Sequence, residues 1–131
     1  MRNIFALVLL LSGCATTAVS KVVIDDTTGA FSVNDYLKTA YDTLLEAETD
    51  TGGHRIRAQL ETRAALELLV NSSVAPRSVP FEGPPTLAVA YALLVRSERD
   101  LRREDAAPAL DATRRALAEL RAALGLPAPL E

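Results

Sequence analysis

Ala106, Leu110, Thr113, Leu117, Leu120 and Leu124 recur at alternating spacings of four and three residues, and no other pattern in the chain constrains its fold as tightly. Such spacing gathers the side chains into one narrow stripe along an α-helix, whereas a strand would need alternation at every second residue. The flanks agree with a helix. Asp105 is placed to cap its start, and Pro108 suits a first turn, where a missing backbone donor costs nothing. At the far end Gly125 offers the left-handed residue that closes helices, Leu126 can fold back onto the last turn, and Pro127 blocks continuation. The spacing predicts a helix over about 106–124, and its stripe requires neighbouring helices to bury it.

Three other segments supply them. Residues 33–48 carry Val33, Leu37, Ala40, Tyr41, Leu44 and Ala47 at helical spacing, with Ser32 as cap and Asp35 where a capping-box acid stands. Gly52-Gly53 interrupts, and a second helix is expected over 54–70. There Ile56, Leu60, Leu66 and Val70 lie near one face, but Arg63 and Glu67 fall on the same face, four residues apart and able to pair. That face is expected to be a seam edge from which both charged side chains reach water. The third helix, over 85–104, should start at Pro84-Pro85. Residues 87–95 are almost unbroken apolar and call for protein on all sides, while Arg96 onward turns charged. Glu98 and Arg102 are spaced for a pair, and the interleaved acids make this a solvated helix end.

The expected fold is all-α: a small four-helix bundle-like domain over residues 32–131. With no tryptophan in the chain, its core must come mainly from Leu, Val and Ala. The connection over 71–85 holds Pro76, Pro80, Pro84 and Pro85 and is long for a helical domain. Its apolar residues Val74, Val79 and Phe81 suit a cover over the open end of the bundle better than a partner-binding knob.

At the front, Arg2 precedes an apolar run over residues 4–11, which ends in Leu11-Ser12-Gly13-Cys14. A run of about eight residues is far short of the roughly 20 that cross a bilayer, and it suits a secretory signal. Ser12 and Gly13 are small, as a peptidase requires. Cys14 is the chain's only cysteine, so it cannot form an internal disulfide. Leu11, Ser12, Gly13 and Cys14 together resemble the lipobox of bacterial lipoproteins. The resemblance implies a signal peptide over 1–13, cleavage before Cys14 and a diacylglyceryl group on its sulfur, often with a third chain on the new amino group. A buried methylene is worth about 0.8 kcal/mol, so two or three long chains hold effectively permanently. It implies no cofactor beyond this covalent lipid. Where an aspartate after the cysteine would favour the inner membrane, this chain has Ala15, which implies the periplasmic face of the outer membrane. Residues 14–31 are then a flexible lipidated tether, able to reach about 55 Å fully extended or about 23 Å as a coil. Val22, Val23 and Ile24 within it favour a strand, but the sequence shows no evident partner for one.

The net charge of -3 argues against nucleic acid. Acids concentrate over residues 14–53, where Lys21 and Lys38 face seven carboxylates, a balance that either keeps the domain off anionic lipid or marks a solvated helix face. Chemistry-bearing groups are scarce. His54 stands alone, without the second ligand that helical metal motifs supply, so no metal is expected. Ser72 and Ser73 lack a nucleophile motif, and Gly52-Gly53 lacks the spacing of a phosphate loop. The expectation is a protein that is not an enzyme.

These features favour a non-catalytic, membrane-anchored domain that binds another cell-envelope protein, with Val79, Phe81, Leu87 and Tyr91 as the candidate partner surface. In size, anchor and helicity such a chain resembles the pilotins, small lipoproteins that escort an outer-membrane channel subunit. That resemblance implies a groove beside residues 87–95 or the Phe81 loop holding a partner's amphipathic segment. One alternative is a phage- or plasmid-encoded envelope lipoprotein acting in lysis or exclusion. Another is a carrier of small hydrophobic molecules, which would need an apolar cavity of several hundred cubic ångströms.

Overall fold

The computed structural model describes residues 22–25, 30–47, 52–69 and 75–127. The fold is all-α, and the described residues form four helices: α1 (Val33–Glu46), α2 (His54–Leu68), α3 (Leu87–Glu104) and α4 (Ala107–Leu124). The lipobox residues, Val70, Ser72, Ser73 and Val74 lie outside the described residues.

α1 starts as its sequence predicts. The Asp35 carboxylate accepts from the Ser32 amide at 2.8 Å, and the Ser32 hydroxyl accepts from the Asp35 amide at 3.4 Å, closing a capping box. The helix ends at Glu46, because Ala47 is already extended. α3 corrects the expected start at the proline pair: it begins at Leu87, with the Thr86 hydroxyl accepting from the Val89 amide at 3.2 Å. A hydroxyl cap satisfies an exposed helix amide, which the prolines before it cannot do. Asp105 is also corrected. It takes the left-handed conformation (φ 55°) that terminates α3, and α4 begins after Ala106 with no side-chain cap. Gly125 (φ 71°) closes α4, and the Leu126 amide returns to the Arg121 carbonyl at 2.9 Å.

Packing partners define the topology. α1 lies against α2 and α3, and α4 lies against the same two, so α2 and α3 are diagonal across the bundle. α2 and α4 run antiparallel, since His54 pairs with Glu119 and Glu61 with Arg115. The two-residue turn at 105–106 makes α3 and α4 antiparallel too, and Glu98 reaches Arg114 at 3.1 Å, displacing the expected Glu98–Arg102 pair. α2 and α3 are therefore parallel, and the chain must return the length of the bundle to connect them. That return is the reason the connection is long.

The return segment is a strap along α1. The Arg77 amide donates to Asp35 Oδ1 at 2.7 Å, and the Val79 amide to Thr39 Oγ1 at 2.8 Å. Asp35, Thr39 and Thr43 form a buried polar row, spaced four residues apart, on the face of α1 that the strap covers. The N-terminal segment lies on the strap in turn. Ile24 bridges Phe81 in antiparallel sense, the Asp25 amide bonds the Pro80 carbonyl at 2.8 Å, and the Glu82 amide bonds the Val23 carbonyl at 3.0 Å. Phe31 packs edge-on to Tyr36 beneath the Arg77 guanidinium, which also bonds the Ala30 carbonyl. A free tether through residue 31 is thus corrected: the β-branched segment has a partner, in the strap.

The core is filled by Leu37, Leu44, Leu93, Leu94, Leu101, Leu117 and Leu120, all wholly buried. α4 buries Thr113, Leu117 and Leu120 of its predicted stripe, and adds Ala109, Ala112 and Ala116. α2 contradicts its apolar pattern. It buries Ala58, Thr62 and Ala65, while Ile56, Leu60 and Leu68 are 47%, 57% and 53% exposed. The physical reason is size: small side chains let the α2 backbone approach α4 closely, and the Thr62 hydroxyl is satisfied by the Ala58 carbonyl at 2.8 Å. Arg63 and Glu67 sit 3.9 Å apart in the open, as expected of a pair that reaches water.

Candidate functional site

The four residues expected to meet a partner divide. Val79 is 2% exposed and Leu87 is buried in the core. Both serve the fold, the first as the strap's plug behind Thr39 and the second at the start of α3. Phe81 is half-buried opposite Ile24, and Tyr91 is half-buried with the Arg121 guanidinium 5.9 Å from its ring centre. A surface through all four is therefore corrected to two partly covered aromatics. The segment does cover the bundle, but along the flank of α1 and not over its open end, with Val79 as the buried residue.

Val95, 39% exposed one turn after Tyr91, departs from the full enclosure expected of residues 87–95, but most of the exposed apolar surface is elsewhere. Ile56, Leu60 and Leu68 stand on the outer side of α2, and Leu45 stands beyond them at the end of α1. Of the stripe read from the sequence, Ile56 and Leu60 face outward and Leu66 is half-buried against the core, while Leu68 did not belong to it. The charged Arg63 and Glu67 on that stripe were the available signal that it faces solvent.

Two polar clusters organise the surface. In the first, Asp35 is almost wholly buried and accepts from the Ser32 amide, the Arg77 amide and, at 3.4 Å, the Arg77 guanidinium. Burial pushes its pKa up, but the hydrogen bonds from Arg77 and Ser32 and the Arg77 charge outweigh it and hold the carboxyl below the ordinary aspartate range. A cleft of about 300 Å3 opens here, lined by Ala30, Ser32, Asn34, Asp35, Ala75, Pro76 and Arg77. Both Asp35 oxygens are committed to these donors, so the carboxylate is a structural acceptor and is poorly placed to act as a base. Tyr36 continues the cluster, its hydroxyl accepting from Arg96 at 3.1 Å.

In the second cluster, Glu119 Oε1 lies 2.8 Å from His54 Nδ1 and accepts from Arg57 Nε at 3.0 Å. The hydrogen bonds with His54 and Arg57 lower the Glu119 pKa. Arg57 also bonds the Gly52 carbonyl at 3.0 Å, which fixes the glycine turn where α2 begins. Gly52 and Gly53 both have positive φ, so the turn needs residues without a side chain. The cluster fastens the start of α2 to α4. His54 therefore has a structural role that its isolation in the sequence did not reveal.

Among the described residues there is no group of three or more His, Cys, Asp or Glu able to hold a metal ion. No helix among them is long and apolar enough to cross a membrane. No protein family, curated protein or solved structure matches this chain.

Proposed function

We propose that this chain is a non-catalytic lipoprotein of the bacterial cell envelope, anchored through acylated Cys14 at the periplasmic face of the outer membrane, whose helical domain binds another envelope protein. The anchor is supported by Leu11-Ser12-Gly13-Cys14 behind a short apolar run. The binding role is carried by one observation: α2 turns Ala58, Thr62 and Ala65 inward and leaves Leu60 and Leu68 more than half exposed. Leucines at such positions do nothing for the core, and apolar side chains on an outer helix face suit an amphipathic partner segment. A pilotin-like or scaffolding role places the partner along α2. The proposed surface moves there because Val79 and Leu87 are interior.

The test compares proteins captured after cross-linking from detergent extracts of cells producing the wild type or the Leu60→Asp, Leu68→Asp double variant. The variant should melt within a few degrees of the wild type, because neither side chain is buried. The expected result is an envelope protein recovered with the wild type and reduced at least tenfold with the variant. Equal recovery from both would exclude the α2 face, and recovery of no envelope protein by either would count against a binding role.

A further inference from the structure

The bundle has two ends, and the described segment before α1, which begins at Val22, points toward only one of them. Along the strap, Arg77 sits beside Asp35 and Val79 beside Thr39, so the strap runs in the same direction as α1. Two residues further on, Phe81 is bridged by Ile24 in the antiparallel sense. Going back from Asp25 to Val22, the N-terminal segment therefore heads toward the end where α1 finishes, α2 begins and α3 begins. Cys14 is about eight peptide steps beyond Val22, at most roughly 28 Å and on average about 15 Å as a coil. The eighteen-residue helices α3 and α4 are about 27 Å long. As a coil those eight steps span about half the length of the body they would hold, and only at full extension do they match it.

We propose that this end of the bundle, carrying Val23, Leu45 and Ile56, is seated against the lipid surface, while the α3–α4 turn points away from it. The proposal rests on acylation of Cys14. Val23 and Leu45 are 46% and 50% exposed, and with Ile56 they place three apolar side chains at the anchored end. Glu46 and Glu82 are exposed at the same end as Arg57, which leaves no basic excess there, so the surface that fits is zwitterionic lipid. The pairing of residues 22–25 with the strap sets this geometry. Without it the tether would extend to residue 31, and either end of the bundle could reach the bilayer.

The chain has no tryptophan, so a single introduced one reports its own surroundings. Leu45→Trp marks the anchored end and Arg103→Trp the opposite one. Each full-length protein, extracted from cells, is reconstituted in phosphatidylcholine vesicles brominated in the acyl chains, and the mass of its N-terminal peptide is measured on the same sample. The expected result is at least twofold stronger quenching of Trp at position 45 than at position 103. Adding Ile24→Asp, which replaces the half-buried apolar side chain that seats this segment on the core with a charge, should release the segment and remove the difference while helicity is retained. Equal or reversed quenching in acylated protein would overturn the orientation alone. Persistence of the difference after Ile24→Asp would overturn the role given to the bridge. An unacylated mass would overturn the anchor, and the orientation with it.

Discussion

Asp35→Ala is expected to cost about 3–4 kcal/mol of folding stability, because one side chain there completes three separate pieces of structure. Its carboxylate caps α1 through Ser32, holds the strap through the Arg77 amide and, through Arg77, bears on the segment before α1. Alanine leaves the Ser32 and Arg77 amides without these acceptors; both residues line the open cleft, so water replaces the carboxylate only in part, without its charge or its fixed geometry. The guanidinium contributes little to the sum, since it is more than half exposed. For a small domain stable by about 5–15 kcal/mol, this is a large fraction of the total. Denaturant titration of wild type and variant measures it. The pH dependence provides a second signature. The Asp35 pKa is depressed in the folded protein, so its stabilising effect is present above the unfolded value of about 3.9 and is lost as pH falls below it. Asp35→Asn should be less stable than wild type at neutral pH, and the gap between them should narrow below about pH 4. A gap that does not change with pH would show that the carboxylate's charge is unimportant.

A comparable effect is expected in the core. Leu93→Ala should cost about 2–5 kcal/mol, since Leu93 is wholly buried within the apolar half of α3 and its removal leaves a cavity. Leu60→Ala should change stability by less than about 0.5 kcal/mol, apart from a small gain in helix propensity. The same substitution in the same host thus distinguishes an inward from an outward leucine. A large loss at Leu60 would mean that α2 is rotated from the orientation described above.

The contrast between those two leucines also explains what the sequence could disclose. α3 was legible because its core-facing residues are large and contiguous, and α4 because Thr113, Leu117 and Leu120 keep a strict register up to the clear stop at Gly125. α2 was legible as a helix but not in its orientation. Its inward positions, Ala58, Thr62 and Ala65, carry almost no apolar signal, and the close approach to α4 that makes them the interior is a tertiary fact. Asp35, Thr39 and Thr43 were opaque for a related reason. A polar residue every fourth position resembles a solvent face until a strap supplies amides to it. Asp105 belonged to the end of one helix instead of the start of the next, since aspartate suits both an N-cap and a left-handed residue. The long connection declared itself by its prolines and apolar residues, but its path depended on α2 and α3 being diagonal. The partner surface was misplaced in consequence, because Val79 and Leu87 are required by the strap and the core.

The most direct measurement is the intact mass of the N-terminal peptide of the protein extracted from cell membranes. The anchored-lipoprotein proposal predicts a peptide that begins at Cys14 and carries the added mass of a diacylglyceryl group, with or without a third acyl chain. The same measurement on a Cys14→Ser variant should show residues 1–13 still attached or the lipid missing. A wild-type peptide that begins elsewhere, or a Cys14 whose sulfur bears no lipid, would contradict it.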